Sequence, residues 1–212
     1  PEAAIWAVDH GAKIIDINMG CPVDKVAKKS GGSLLLRDCG NTTMLAKRIV
    51  DAVTRHTNGR VPVTAKMRLG WDPEHKVAPI LARALADIGI AAVTVHARYT
   101  VQFFSGSADW NAIGEVVEAV PDIPVIGNGD VTLPEHVTKI MQMSGCTGVM
   151  IGRGAMRTPW LFRQAKTLLD TGTAGPEPLL AAKLDVVLRH LDLCKEYDGE
   201  ERALTRMRQH IS

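Results

Sequence analysis

The clearest structural signal in the chain lies in residues 14–22, which read Ile14-Ile15-Asp16-Ile17-Asn18-Met19-Gly20-Cys21-Pro22. A run rich in β-branched residues gives way to Asn, Gly, Cys and Pro. The pattern predicts a parallel strand with apolar residues packed on both faces, followed by a Gly-containing turn that exposes the next residues. The exposed group would be the thiol of Cys21, which can act as a nucleophile, a metal ligand or a proton donor.

Four more apolar runs follow, and helix-like stretches separate them. The five predicted strands are Lys13–Asn18, Val61–Met67, Ala91–His96, Ile123–Gly127 and Gly148–Ile151. In the intervening stretches apolar residues recur every three or four positions, as on one face of an amphipathic helix. The predicted helix faces are Met44, Ile49, Val50 and Val53; Ile80, Leu81, Leu85 and Ile88; Ile113, Val116, Val117 and Val120; and Val137, Ile140 and Met141.

This alternation of strand and helix predicts an α/β fold with a parallel sheet. A flavodoxin-like or Rossmann sheet would place a Gly-rich turn after its first strand, whereas this chain has Cys-Pro and a long polar loop over Val23–Ser33. Polar residues follow every strand instead of gathering at one switch point, which favours a (β/α)8 TIM barrel. Only five strands are present, so we expect a piece of a longer protein whose other three strands precede Pro1.

The composition changes after residue 171. Residues 172–178 are rich in Gly and Pro, which predicts a linker. Residues 1–171 would then form the partial barrel domain, and residues 179–212 the start of a helical domain. A break near Asp198-Gly199 predicts two helices in that second domain.

Overall composition limits the class of protein. The 212 residues are 46% hydrophobic and 23% charged, and no apolar run approaches the ~20 residues of a membrane-spanning helix. Four scattered cysteines form no Cys-x-x-Cys pair, so we expect no disulfide framework, no metal site and a reducing cytoplasm. The net charge of +2 does not by itself indicate a nucleic-acid partner. Near the end, Arg202, Arg206 and Gln209 share one helix face, which is either a nucleic-acid contact or an ordinary solvated surface.

Each predicted strand ends in residues that can do chemistry. In chain order they are Asn18 and Cys21; Lys66 and Arg68; His96 and Arg98; Asn128, Gly129 and Asp130; and Gly152, Arg153 and Gly154. A charged Lys within an apolar strand is costly unless it meets an anion or a polar cofactor. Lys66 therefore indicates either a ligand site or a structural ion pair. His96 is either a hydrogen-bonded residue at a strand end or a cofactor contact.

The last two strand ends predict a phosphate site. In (β/α)8 barrels these loops commonly bind phosphate through Gly amides and a following helix N-terminus. Arg153 would add a bidentate partner. Each Gly motif alone is also compatible with an ordinary turn, but the two at consecutive strands favour a phosphorylated ligand.

These motifs together resemble the tRNA-dihydrouridine synthases, which are FMN-dependent (β/α)8-barrel enzymes, and are closest to the bacterial B-type branch. The resemblance rests on Asp16–Pro22, Lys28–Leu35, Lys66–Trp71, Pro124–Asp130, Gly148–Ala155 and Pro159-Trp160. Two positions depart from the family's pattern, which usually has Gly where this chain has Ala97 and Arg157.

The resemblance implies a reaction in which FMN, reduced by NADPH, gives a hydride to C6 of a uracil in tRNA and Cys21 protonates C5. It implies that FMN is held by Lys66, His96, Asn128, Gly129, Asp130, Gly152 and Arg153. Substrate contacts would come from Asn18, Arg68, Arg98, Arg202 and Arg206, the last two in a tRNA-binding helical domain.

Two other hypotheses stay open. One is a flavin-dependent reductase or dehydrogenase of free pyrimidines, which would have no use for the basic face of Arg202 and Arg206. The other is a non-catalytic RNA-binding remnant without a flavin site. Neither the modified uridine nor the oligomeric state follows from the sequence.

Overall fold

The computed structural model describes residues 1–23 and 31–211, and it contains a five-stranded parallel sheet. The strands are β1 Ile15–Met19, β2 Val63–Arg68, β3 Val93–His96, β4 Val125–Asn128 and β5 Gly148–Met150. The described helices are α1 Glu2–Asp9, α2 Cys39–Thr57, α3 Ala78–Asp87, α4 Asn111–Ala119, α5 Pro134–Ser144, α6 Arg153–Arg157, α7 Leu161–Thr171, α8 Leu180–Asp198 and α9 Glu200–Ile211. All five predicted strands are confirmed, although β1 to β4 begin two residues later than expected.

The order of the strands in the sheet is the same as their order in the chain, β1-β2-β3-β4-β5. Every pair is parallel, with Ile17 beside Ala65, Ala65 beside Val93, and Val93 beside Val125. A doubly wound sheet changes direction at a switch point, whereas a (β/α)8 barrel adds each strand beside the previous one. The α/β barrel-type arrangement expected from the sequence is therefore confirmed in the described part of the chain.

One face of the sheet carries the hydrophobic core. Met19, Ala65, Met67, Val93 and Val95 are buried on this face, together with apolar residues of α2, α3 and α4. The other face carries the alternate residues, and Asp16 and Asn18 are exposed there. The expectation that β1 packs apolar residues on both faces is therefore wrong. Strand side chains alternate between faces, so the polar residues between Ile15, Ile17 and Met19 form a face of their own.

The helices pack on the sheet through small residues more than the sequence predicted. On α2 the buried positions are Thr42, Ala46, Val50, Val53 and Thr57, and on α3 they are Ala78, Leu81, Ala82 and Leu85. Two residues predicted to lie on the packed helix faces do not, because Met44 is 60% exposed and Ile80 is 72% exposed. Alanine at the contact lets a helix approach the sheet closely, and Met44 and Ile80 point to the outside.

The chain divides into two compact units, Pro1–Val131 with Lys139–Ile151, and Thr132–Thr138 with Gly152–Ser212. In the second unit, residues 172–179 connect α7 to α8, and the predicted pair of terminal helices is confirmed as α8 and α9. Cys194 is buried there with Ala203 and Met207. No helix within residues 1–23 and 31–211 is both long and apolar enough to cross a membrane.

Candidate active site

The parallel register aligns the predicted site residues in two rows across the sheet. Asn18 lies beside Lys66, and Arg68, His96 and Asn128 follow one another across β2, β3 and β4. Residues two positions apart on a strand share a face, so both rows lie on the polar face, at the carboxyl ends of the strands. The structure therefore brings together predicted residues from four strands.

Cys21 follows β1 in a turn that is fixed from several sides. The side-chain oxygen of Asn18 accepts hydrogen bonds from the backbone N–H groups of Gly20 and Cys21, both at 3.1 Å. The carbonyl of Gly20 accepts from Arg68 at 2.9 Å, and the carbonyl of Cys21 accepts from the Ser33 N–H at 2.9 Å. The thiol is half-buried. The backbone around it is held before any ligand binds.

Arg68 is only 1% exposed, although a charged side chain is costly to bury without partners. Besides its bond to Gly20, its Nη1 donates to the carbonyls of Tyr99 at 2.9 Å and Phe103 at 2.8 Å. Burial, and then the nearby charge of Arg98, lower the pKa of Arg68 to about 10, so the group stays charged at neutral pH. Arg68 thus ties the turn after β1 to the loop after β3. Its predicted contact with substrate stays a prediction.

Lys66 is half-buried on the polar face, beside Asn18 on one strand and Thr94 on another. No hydrogen bond or ion pair reaches its ammonium group from residues 1–23 or 31–211. Burial and the charge of Arg68 lower the pKa of Lys66, against the opposing effects of Asp16 and Cys21. The structural ion pair that the sequence left open is therefore not formed with any described residue. The ammonium group is therefore available to water or to an acceptor on a ligand.

His96 is 7% exposed and accepts a hydrogen bond at Nε2 from Arg98 at 3.4 Å. Burial, followed by the charges of Arg68, Lys66 and Arg98, lowers the pKa of His96 to about 3, and Asp130 opposes them only in part. The imidazole is therefore neutral near pH 7. It is hydrogen-bonded at a strand end, as one of the two sequence hypotheses requires, while a cofactor contact stays a prediction.

Arg98 and Asp130 form a partly buried ion pair that no sequence pattern indicated. The guanidinium binds both carboxylate oxygens, at 2.9 and 2.7 Å, and Asp130 also accepts from the N–H of Ala108 at 2.8 Å. The two residues are 32 positions apart, and only their common location after strands relates them. Their predicted roles with substrate and cofactor stay predictions, and here both side chains are engaged with each other.

The turn after β4 needs a glycine at its centre. Gly129 has φ +128°, and an added Cβ would lie 2.7 Å from the Cβ of Ala108. Trp110 donates from Nε1 to the carbonyl of Gly129 at 2.9 Å, and Asn128 donates to the carbonyl of Met150 at 2.8 Å. Sequence reasoning missed Trp110, although an indole shortly before a predicted helix and near a glycine turn could have suggested it.

The remaining predicted site residues belong to the second unit. Gly152 precedes the five-residue helix α6, and Arg153 is its first residue. On α9, Arg202 and Arg206 are exposed, and Arg206 forms an ion pair with Asp198 at 2.8 Å. Their roles stay predictions. The side chain of Gln209, and the Lys28-Lys29-Ser30 part of the family motif, lie outside the described residues.

Taken together, the polar face offers a half-buried thiol, an ammonium group and a neutral imidazole. Both nitrogen groups lack an acceptor in the described ranges, so the face is suited to a ligand rich in acceptor atoms. No cluster of three or more His, Cys, Asp or Glu side chains among the described residues could hold a metal ion. The thiol, the ammonium group and the imidazole can supply hydrogen bonding, charge stabilisation and proton transfer.

Known proteins relate the chain to one family. A family model described as "Dihydrouridine synthase (Dus)" matches residues 1–212. A "Probable tRNA-dihydrouridine synthase" of Rickettsia bellii is 45% identical over 210 residues, which are 99% of this chain and 62% of that protein. "tRNA-dihydrouridine synthase B" of Xanthomonas axonopodis pv. citri is 41% identical over 210 residues, again 99% of this chain but 61% of the relative.

Among solved structures, a putative phosphonomutase from Burkholderia cenocepacia J2315 aligns with a TM-score of 0.57 and 20% identity. The alignment covers 84% of this chain and 71% of that one, and at this identity it supports the fold alone. The present chain spans about three fifths of the length of the curated relatives, 62% and 61% in the two cases above. Since the family model covers the whole of it, the chain belongs to the dihydrouridine synthase family.

Proposed function

We propose that the full-length protein is a tRNA-dihydrouridine synthase, an oxidoreductase that reduces the C5=C6 bond of a uridine in tRNA. The observation that carries the proposal is the half-buried Cys21 in a fixed turn, in a chain that matches the family model over residues 1–212. The names of the relatives describe the same activity in those proteins. Cytoplasmic tRNA would be the substrate.

In this proposal a bound FMN, reduced by NADPH, would supply the hydride for C6 of the uracil ring. The polar face fits such a group, because Lys66 and His96 present donors without acceptors in the described part of the chain. Lys66 would stabilise negative charge on the electron-rich ring, and His96 would donate a hydrogen bond. The turn of Asn128, Gly129 and Asp130 would hold the ribityl chain.

Gly152 and Arg153 are proposed as phosphate contacts, by resemblance to the family and by the chemistry of guanidinium with phosphate.

Cys21 would act as the general acid that gives a proton to C5. A general acid must be held within hydrogen-bond reach of the atom that it protonates. The bonds from Asn18, Arg68 and Ser33 to the backbone around Cys21 supply that positioning. The amide NH2 of Asn18 donates to no described residue, so it is available to a carbonyl of the pyrimidine.

The decisive experiment deletes the full-length gene and measures dihydrouridine in total tRNA by liquid chromatography and mass spectrometry. Deletion should abolish one dihydrouridine, and the wild-type gene on a plasmid should restore it. A flavin absorbance band in the purified full-length protein should accompany this. Unchanged dihydrouridine together with a flavin band would favour a reductase of free pyrimidines, and the absence of flavin would favour a non-catalytic RNA-binding protein.

A further inference from the structure

Arg98 directs all five of its N–H groups to partners inside the protein. Nε donates to the carbonyl of Ser105 at 3.2 Å, and Nη2 donates to the carbonyl of Gly106 at 2.7 Å and to Asp130 at 2.7 Å. Nη1 donates to the other oxygen of Asp130 at 2.9 Å and to Nε2 of His96 at 3.4 Å. A guanidinium has five donors and no acceptor, so none is left over for a ligand.

The contact with His96 has only one chemical direction. Because a guanidinium can only donate, Nε2 of His96 must present its lone pair to Arg98. A neutral imidazole that accepts at Nε2 carries its proton on Nδ1. No residue in ranges 1–23 and 31–211 accepts a hydrogen bond from that Nδ1–H.

We propose that Arg98 and Asp130 are positioning residues that hold His96 as the neutral Nδ1–H tautomer, so that the imidazole offers one uncharged donor to an acceptor atom of the bound ligand. The identity of that ligand as a flavin rests on the proposed function. The tautomer itself does not depend on it, because it follows from contacts within the protein.

The surroundings fix the ring as well as its proton. The space beside Gly129 is filled by Cδ2 of His96, 3.2 Å from where a Cβ would lie, and the ring of Phe104 lies 6.3 Å from the imidazole. The charges that face His96 are those of Lys66, Arg68 and Arg98, with Asp130 as the only opposing charge among the described groups. Asp130 is already neutralised by Arg98, so the network does not favour an imidazolium.

The backbone of Asp130 adopts a left-handed conformation, which residues other than glycine rarely do. Asp130 is one of three residues other than glycine with positive φ in the described ranges, at +54°. Its carboxylate receives two bonds from Arg98 and one from the N–H of Ala108. These bonds fix both the turn after β4 and the orientation of the guanidinium, which in turn fixes His96.

The test is a tautomer measurement on the full-length protein labelled with ¹⁵N-histidine. Long-range proton–nitrogen correlation spectra distinguish a protonated ring nitrogen from a pyridine-type one, and His96→Gln identifies the signals of this residue among those of the other histidines. We expect His96 to show Nδ1 protonated and Nε2 pyridine-type at pH 7. The pattern should not change on titration down to about pH 4, which is well below the reference pKa of about 6.5 for histidine.

Arg98→Lys tests the mechanism, since lysine keeps the charge but cannot make the forked set of bonds. We expect the Nε2–H tautomer of His96 to appear in this variant. Arg83→Lys is the matched control, because Arg83 also binds carboxylates but lies on the surface with Asp87 and Asp122. Its spectrum at His96 should equal that of the wild type.

Two results would overturn the proposal. One is a wild-type His96 that carries its proton on Nε2 or that titrates between about pH 5 and 8, where ordinary histidines do. The other is an Arg98→Lys spectrum identical to the wild type. If Arg98→Lys does not fold, the wild-type titration still decides. None of these readouts needs turnover, so a protein that makes no dihydrouridine would refute the proposed function while leaving the tautomer measurable.

Discussion

The two faces of the sheet are built from alternate residues of the same strands, yet they differ in almost every respect. On the helix-covered face Met67 and Val95 are fully buried, and their neighbours are apolar. On the polar face the half-buried Lys66 has no hydrogen-bond partner in the described ranges. One face is satisfied by the protein itself, and the other carries donors that are open to water or to a ligand.

The difference shows that residues adjacent in one strand can serve different purposes, one stabilising the fold and the next contributing to ligand binding or catalysis. A change on the helix-covered face should lower the free energy of unfolding and affect catalysis only through folding. A change on the polar face should affect binding or turnover while the fold remains.

The largest effect is expected for Cys21→Ala. Loss of a general acid typically lowers a rate by ~10²–10⁴-fold, so dihydrouridine formation should fall by that factor. Flavin content and NADPH oxidation should be retained, because the proposed flavin contacts do not include the thiol. Product is measured by chromatography after a fixed time with unmodified tRNA.

Cys39→Ala is the control for that variant, since Cys39 is also half-buried but begins α2, away from the polar face. It should keep normal turnover. Near-normal product formation by Cys21→Ala would remove this thiol from the proposed mechanism.

Met67→Ala probes the other face. Truncating a fully buried Met to Ala typically costs ~2–5 kcal/mol of stability through lost burial and the cavity left behind. We expect a decrease of this size in the free energy of unfolding, measured by urea titration. Met44→Ala, on the exposed side of α2, should change it by less than about 0.5 kcal/mol. Equal effects of the two variants would mean that the assignment of the packed face is incorrect.

Much of this fold could be read from local pattern. The β-branched runs locate all five strands, and glycines mark the ends of several helices. What could not be read was which alternate residues of β1 face the helices, because a short apolar run with Asp16 and Asn18 in it is compatible with either a buried or a two-faced strand. Met44 and Ile80 were misplaced for a related reason, since hydrophobic spacing does not show that an alanine stripe makes the closer contact.

The site was predictable in its members but not in its bonds. Strand ends of a parallel sheet meet at one edge, so Lys66, His96 and Asn128 could be grouped from order alone. The partners of Arg98 and Arg68 could not be predicted, because several of them lie in the irregular segment of residues 99–108, which has no periodic pattern. Such loops decide whether a polar residue is free for a ligand or used by the protein.

Lys66→Met tests whether a residue of the polar face affects flavin binding without lowering the stability of the fold. Because Lys66 has no described partner and its charge is costly to bury, the substitution should leave the free energy of unfolding unchanged or raise it. Flavin affinity should fall, since a charge-assisted hydrogen bond contributes about 1.5–3 kcal/mol, or roughly ten- to a hundred-fold in Kd. Fluorescence titration of apoprotein with FMN measures it.

Lys47→Met is the matched control, because it removes an exposed Lys that pairs with Asp51 on α2. It should not alter flavin affinity. A Lys66→Met protein that binds flavin as tightly as the wild type would show that the unpartnered ammonium does not face the cofactor.

The smallest expected effect concerns the dependence of stability on pH. The folded-state pKa of His96 is lowered to about 3, below the 6.5 of a free histidine. Between these two values the unfolded chain binds a proton at this residue that the folded chain does not. Stability should therefore fall as the pH falls through this window, with a contribution to the slope of at most about 1.4 kcal/mol per pH unit.

His96→Gln should remove that contribution, because a Gln side chain can still accept a hydrogen bond from Arg98 but does not titrate. The free energy of unfolding, measured by urea titration from about pH 7 to 4, should thus decline less steeply for the variant than for the wild type. The control is His10→Gln, which removes an exposed imidazole just after α1. Parallel curves for wild type and His96→Gln would mean that the imidazole accepts a proton in the folded protein, and the polar face would then carry a titrating charge instead of a fixed neutral donor.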